Sequence, residues 1–118
     1  FFGYGAATFP FIYGFLKNNN VNDIHQHTHN LFLELSINYG LLVSIIIFIN
    51  IISLIKNSWN AIKQEKSLNK NNINKTWWAS SLILLITQTF DVTYYDIRIS
   101  LLFWILISGL KCIIDESE

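Results

Sequence analysis

Leu41-Leu42-Val43-Ser44-Ile45-Ile46-Ile47-Phe48-Ile49 carries no charge, and it is the densest part of an apolar run over 31–55. A helix over that run would be roughly 37 Å long, enough to cross a bilayer with some tilt or protrusion. Two further apolar runs cover 77–93 and 97–114. Both are close to the lower limit of about 17 residues for a spanning helix. Asp91, Asp96 and Arg98 lie at their junction. A single rod through both would overshoot the bilayer, so the pair predicts a tight helical hairpin. Apolar residues make up 52% of the chain and charged residues 14%, against about 25% charged in soluble domains. The expected fold class is all-α: a multi-pass transmembrane helical fragment with about three spanning helices, forming one membrane domain over 1–118.

The segments between the runs orient them. Residues 56–76 contain Lys56, Lys63, Lys66, Lys70 and Lys75, and Asn69-Lys70-Asn71-Asn72-Ile73-Asn74-Lys75 is low in complexity. This stretch reads as a solvated loop. Only Lys17 and Arg98 are basic on the opposite side, so the positive-inside rule places the 56–76 loop in the cytoplasm and residues 1–30 outside. Trp59, Trp77 and Trp78 flank the loop at the expected headgroup level, and Tyr94 and Tyr95 mark the other surface. The acidic tail Asp115-Glu116-Ser117-Glu118 then falls in the cytoplasm.

The chain has 118 residues, contains no Met and opens at Phe1-Phe2-Gly3 with neither a basic n-region nor a cleavage site. It therefore reads as a fragment, the C-terminal part of a longer protein, and not as a signal peptide. Eight basic and eight acidic residues give zero net charge, so there is no bulk positive field of the kind nucleic-acid binders use. The single Cys112 forms no internal disulfide and matches no metal spacing.

Polar residues crowd the edge of the first apolar run. His25, His27 and His29 alternate with Gln26 and Thr28. Such a trio suits zinc or copper in principle, but no Cys and no second ligand cluster completes a site, and structural zinc normally takes four protein ligands. Polar surface loop and acid–base chemistry near neutral pH are the other readings. Asn30, Glu34 and Asn38 recur every four residues and form one stripe of a helix. A carboxylate there faces water, a cavity or a partner, not lipid. As a cavity wall, Glu34 would orient His29 or a bound sugar. Gly3-Tyr4-Gly5 lacks the Gly-Lys-Ser/Thr of a phosphate loop and reads as a turn. Asp91-Val92-Thr93-Tyr94-Tyr95-Asp96-Ile97-Arg98 holds the only arginine of the chain. Arg98 either closes the hairpin on Asp91 or Asp96, or offers its planar fork to phosphate.

In order, Gly-x-Gly, then His29-Asn30-Leu31-Phe32-Leu33-Glu34-Leu35 leading to Gly40-Leu41-Leu42, then Asp91-x-x-Tyr94-Tyr95-Asp96-x-Arg98 before Leu102-Phe103-Trp104 resembles the O-antigen ligase/polymerase family. The resemblance covers nearly the whole chain and looks like the C-terminal portion of that family's conserved membrane core. Where the family often has a second glycine soon after Gly40, this chain has Val43-Ser44. The resemblance implies a polytopic inner-membrane glycosyltransferase acting at the periplasmic face. Its implied partners are a polyprenyl-diphosphate-linked glycan, a lipid or glycan acceptor, and membrane lipid, with no cofactor, no obligatory metal and no nucleic acid. His29 matches the family's proposed base for the acceptor hydroxyl. Asn30, Glu34 and Arg98 are the candidate substrate-binding residues beside it. The amides that open the first helix would help to hold the diphosphate, and the donor's lipid tail would lie between helices. Other relatives in the superfamily are associated with inorganic-carbon uptake, so a transporter or a structural membrane module is the alternative reading.

Overall fold

A computed structural model of the chain describes residues 2–6, 8–16 and 28–117. His25, His27 and Lys17 lie outside the described residues. The elements are α1 (Phe9–Leu16), α2 (Leu31–Tyr39), α3 (Leu41–Gln64), α4 (Leu68–Thr87), a single 3₁₀ turn (Thr93–Tyr95) and α5 (Ile97–Asp115), with no strand among the described residues. The all-α expectation therefore holds. Helices α3, α4 and α5 pack against one another, α2 packs on α3, and α1 packs on α2.

The first apolar run is two helices, not one. Gly40 sits between them with φ 98° and ψ 157°, a backbone conformation that glycine adopts without the strain a Cβ would bring. Ser36 and Ser44 join hydroxyls across the break at 2.8 Å. The last carbonyls of a helix need partners, and here they find them in the amino-terminal segment. The Tyr4 N–H donates to Ile37 O at 2.7 Å and the Gly5 N–H to Asn38 O at 3.1 Å, while the Gly40 N–H returns to Ser36 O. Gly3 is required to be small: a Cβ there would stand 2.3 Å from the Asn38 carbonyl oxygen. The Gly-x-Gly pair is thus a backbone cap for α2.

Residues 56–76 are not a loop. Helix α3 continues to Gln64 and α4 begins at Leu68, leaving 65–67 as the connection. Asn and Lys are modest to good helix formers when exposed, and tertiary anchors decide the matter. Trp59 and Trp78 pack with ring centroids 4.7 Å apart. The Trp78 Nε1–H donates to Ile55 O and the Trp77 Nε1–H to Leu106 O, each at 3.0 Å. These rings surround a core of Ala61, Ile62, Leu110 and Ile113. Gly109 makes the room, because a Cβ there would lie 2.1 Å from Trp77 Nε1. The Glu65 side chain accepts from the Ser67 N–H, and Lys70 bridges Glu65 and Glu116 at 3.4 and 2.8 Å. The connection is tied to the end of α5 in this way.

Two helices, α3 and α5, are long and apolar enough to cross a membrane. Only 11% and 17% of their most apolar windows are buried within the protein, so their apolar faces are largely uncovered. Ile45, Ile46, Ile49 and Ile52 on α3, and Leu101, Leu102, Trp104 and Ile105 on α5, are exposed. Helix α4 is not among the candidate spans. Its first two turns are Asn- and Lys-rich, and its apolar part from Trp77 to Thr87 would be only about 16 Å long as a helix, short of a hydrocarbon core of about 30 Å.

Candidate functional site

Three chain segments meet at the amino-terminal end of α2. Asn30 caps the helix: its backbone is extended at φ −150°, and its Oδ1 accepts from the Leu33 N–H at 3.2 Å. Such a cap satisfies one of the donors a helix start leaves open. The Asn30 Nδ2 donates to Thr89 O at 3.0 Å, and the Leu31 N–H donates to Gln88 O at 2.9 Å. The end of α4 is thereby clipped to the start of α2. Of the α2 amides expected to help hold a diphosphate, the Leu31 and Leu33 N–H groups already have protein acceptors.

His29 precedes the cap with φ 55°, the one positive φ outside glycine among the described residues. Such a conformation is uncommon for a residue with a Cβ and marks a position fixed by its surroundings. Its Nδ1 lies 3.1 Å from Asp91 Oδ1. An ionised carboxylate only accepts, so in this pair Nδ1 is the donor. Both side chains are 63% exposed, which leaves the imidazole reachable from solvent.

One turn further on, Glu34 is 2% exposed. Its Oε2 accepts from the Thr28 N–H at 3.1 Å, and its Oε1 accepts from the Tyr95 hydroxyl at 2.8 Å and the Asn38 Nδ2 at 3.3 Å. Burial pushes the carboxyl pKa up, but the bonds from Thr28, Tyr95 and Asn38 together outweigh it and hold Glu34 below the usual range. Tyr95 responds in the opposite sense. Burial first, then its bond to Glu34 and the charge of that carboxylate, push the phenol up to about 12. The Asn38 Nδ2 also donates to Tyr95 Oη at 3.2 Å. The stripe is therefore an internal network that fastens α2 to the turn before α5. Asn30 belongs to the cap and not to this network.

Below the network, a cavity of about 540 Å³ opens between α2, α3, α5 and the 3₁₀ turn. Ile46, Ile47 and Ile51 form one wall and Phe103, Trp104 and Ile107 another, with Glu34, Asn38, Tyr95 and Asn50 as its polar margin. Its size and its largely apolar lining with a few polar groups at one margin fit a small-molecule site.

Arg98 stands apart. Its backbone N–H donates to Asp96 Oδ1 at 2.8 Å, which makes Asp96 the cap of α5. Asp91 is engaged with His29. Among the described residues no carboxylate comes within 4.0 Å of the exposed Arg98 guanidinium. The expected Arg98–Asp91 or Arg98–Asp96 closure of the hairpin is therefore not formed, because both acids have other work. Arg98 also shares no hydrogen bond with His29, Asn30 or Glu34.

Among the described residues no group of three His, Cys, Asp or Glu side chains is placed to hold a metal; His25 and His27 lie outside them. Sequence reasoning missed Asp91 as the partner of His29, and Tyr95 and the Thr28 N–H as partners of Glu34. The residues were visible, but the His29–Asp91 and Glu34–Tyr95 pairs span 62 and 61 positions and have no local signal, while the Thr28 bond, six positions away, depends on how the chain enters α2. No protein family, curated protein or solved structure matches the chain at a significant level.

Proposed function

We propose that this chain is part of a membrane glycosyltransferase of the O-antigen ligase/polymerase type, acting at the periplasmic face of the inner membrane. It would move a glycan from a polyprenyl-diphosphate carrier to a lipid or glycan acceptor. The observation that carries the reading is the His29–Asp91 pair, 3.1 Å apart at a strained backbone position beside two helices able to span a membrane. With Nδ1 donating to Asp91, Nε2 of His29 takes the proton of the acceptor hydroxyl. The acceptor oxygen bonds to C1 of the donor sugar as the C1–O bond to the diphosphate breaks. The bonding pair leaves with the polyprenyl diphosphate. Arg98, uncommitted to any carboxylate among the described residues, is the cation offered to that leaving group. The apolar cavity below Glu34 takes the first part of the prenyl chain. Glu34 and Asn38 hold the wall of the site.

The transporter or structural-module alternative draws on one observation. Glu34 is bonded to three protein donors, as a carboxylate that fastens helices together would be. The experiment is glycan transfer from a polyprenyl-diphosphate donor by the complete natural protein reconstituted in vesicles. His29→Ala is expected to abolish transfer with membrane abundance and donor binding intact, and Asp91→Asn to lower it by roughly one to two orders of magnitude, below the about 10²–10⁴-fold of general-base assistance itself because the base remains. Donor that fails to bind the unaltered protein would count against the enzyme altogether.

A further inference from the structure

We propose that α1 is a membrane-interface anchor, its outer aromatic face seated in the headgroup–acyl boundary of the bilayer that α3 and α5 cross. The inference rests on that crossing and is independent of glycosyl transfer.

Helix α1, FPFIYGFL, contains no charged residue. Phe11 and Phe15 are four apart and so share one side of the helix; they are 81% and 85% exposed. Phe9 and Tyr13, also four apart, are partly buried and pack on each other at 5.6 Å. The helix thus has a protein side and an aromatic side that no described residue covers. Phe2 and Tyr4, just before it, are 93% and 72% exposed. A run of bare aromatic side chains on so short an element is costly in water and suits the interface, where aromatic rings concentrate.

Backbone bonds set its depth. Tyr4 and Gly5 are bonded to the carbonyls of Ile37 and Asn38, and α3 begins at Leu41. Gly5 is then joined to α1 through Thr8, whose hydroxyl donates to Gly5 O at 2.8 Å and whose carbonyl accepts from the Phe11 and Ile12 N–H groups. Helix α1 is therefore held beside the residues at which α3 enters the bilayer. The exposed Tyr39, Leu41, Leu42 and Val43 continue apolar surface along that entrance. Helix α1 lacks the charged face of a typical amphipathic anchor; it is its exposed aromatic patch at this level, uncovered by described residues, that places it in the interface.

The test is depth measurement by spin labelling. In a Cys112→Ser background, which removes the only native thiol, nitroxide labels are placed at Phe11→Cys, at Phe15→Cys and, as a calibration, at Ile49→Cys on the exposed face of α3. The protein is reconstituted in phosphatidylcholine–phosphatidylglycerol vesicles, and collision with oxygen is compared with collision with a water-soluble nickel chelate. Labels at 11 and 15 are expected to meet oxygen, to be shielded from nickel, and to lie about 5–10 Å below the phosphates, shallower than the label at 49. Nickel access at both α1 positions would overturn the anchor. So would shielding from oxygen and nickel alike, which would mean that protein, a second copy included, covers the face. Nickel access at 49 would remove the bilayer crossing and the anchor with it.

Discussion

Tyr95→Phe deletes one O–H donor from a carboxylate that is 2% exposed and leaves the ring in place. Hydrogen bonds to charged groups contribute about 1.5–3 kcal/mol. Tyr95 is itself 52% exposed, so water partly replaces the lost donor and the lower end applies, about 1.5 kcal/mol, close to tenfold in the folding equilibrium. Glu34 keeps the Thr28 N–H and the Asn38 Nδ2, which prevents a larger collapse. The assay is equilibrium unfolding in mixed dodecylmaltoside–dodecylsulfate micelles at pH 7, read by tryptophan fluorescence. The same substitution in a Glu34→Gln background removes only a neutral–neutral bond and is expected to cost about 0.5 kcal/mol, leaving a coupling of about 1 kcal/mol. Equal losses in both backgrounds would refute the claim that a charged hydrogen bond fastens α2 to the 3₁₀ turn. The acid limb supplies a second reading. Because the folded Glu34 pKa is depressed below 4.5, its contribution is present above that value and is lost as pH falls through the folded pKa. Tyr95→Phe should shrink that acid-dependent loss.

At the alkaline end the sign reverses: the phenol of Tyr95, raised from 10.0 to about 12, stabilises the fold below about pH 10, and that stability should drain away between about 10 and 12, a loss absent in Tyr95→Phe on the same unfolding assay. Gly3→Ala places a Cβ 2.3 Å from the Asn38 carbonyl oxygen; the segment must lift, and losing the Tyr4 and Gly5 bonds should cost about 2 kcal/mol, with proteolytic cleavage before α1 as the readout. Arg98→Lys should fold normally, since no carboxylate among the described residues depends on the fork, yet it should weaken binding of the polyprenyl-diphosphate donor because bidentate contact is lost; unchanged donor affinity would remove Arg98 from the site.

What the sequence alone determined was bulk character and local pattern. Long charge-free runs at Leu41 and before Cys112 pointed to long apolar helices, and the two helices found there, α3 and α5, are long and apolar enough to cross a membrane. The i,i+4 spacing of Glu34 and Asn38 put them on one face of a helix, and in the structure both are buried there. Local pattern also misled. The Asn- and Lys-rich stretch at 69–75 reads as loop by composition, yet it is helical, because Trp77 and Trp78 bind carbonyls of α5 and α3 and hold the whole rod in place. The run over 31–55 reads as one helix, yet it breaks at Gly40, because amides from residues 4 and 5 are at hand to take the carbonyls that the break frees. Only the tertiary structure decided which acid meets which base. Asp91 could have served Arg98, seven residues away, and instead meets His29, 62 positions distant. Asp96 is spent on a backbone N–H, and Tyr95 turns its hydroxyl inward to Glu34. Each choice follows from where the packed helices bring their ends, a distance in space that spacing along the chain does not encode.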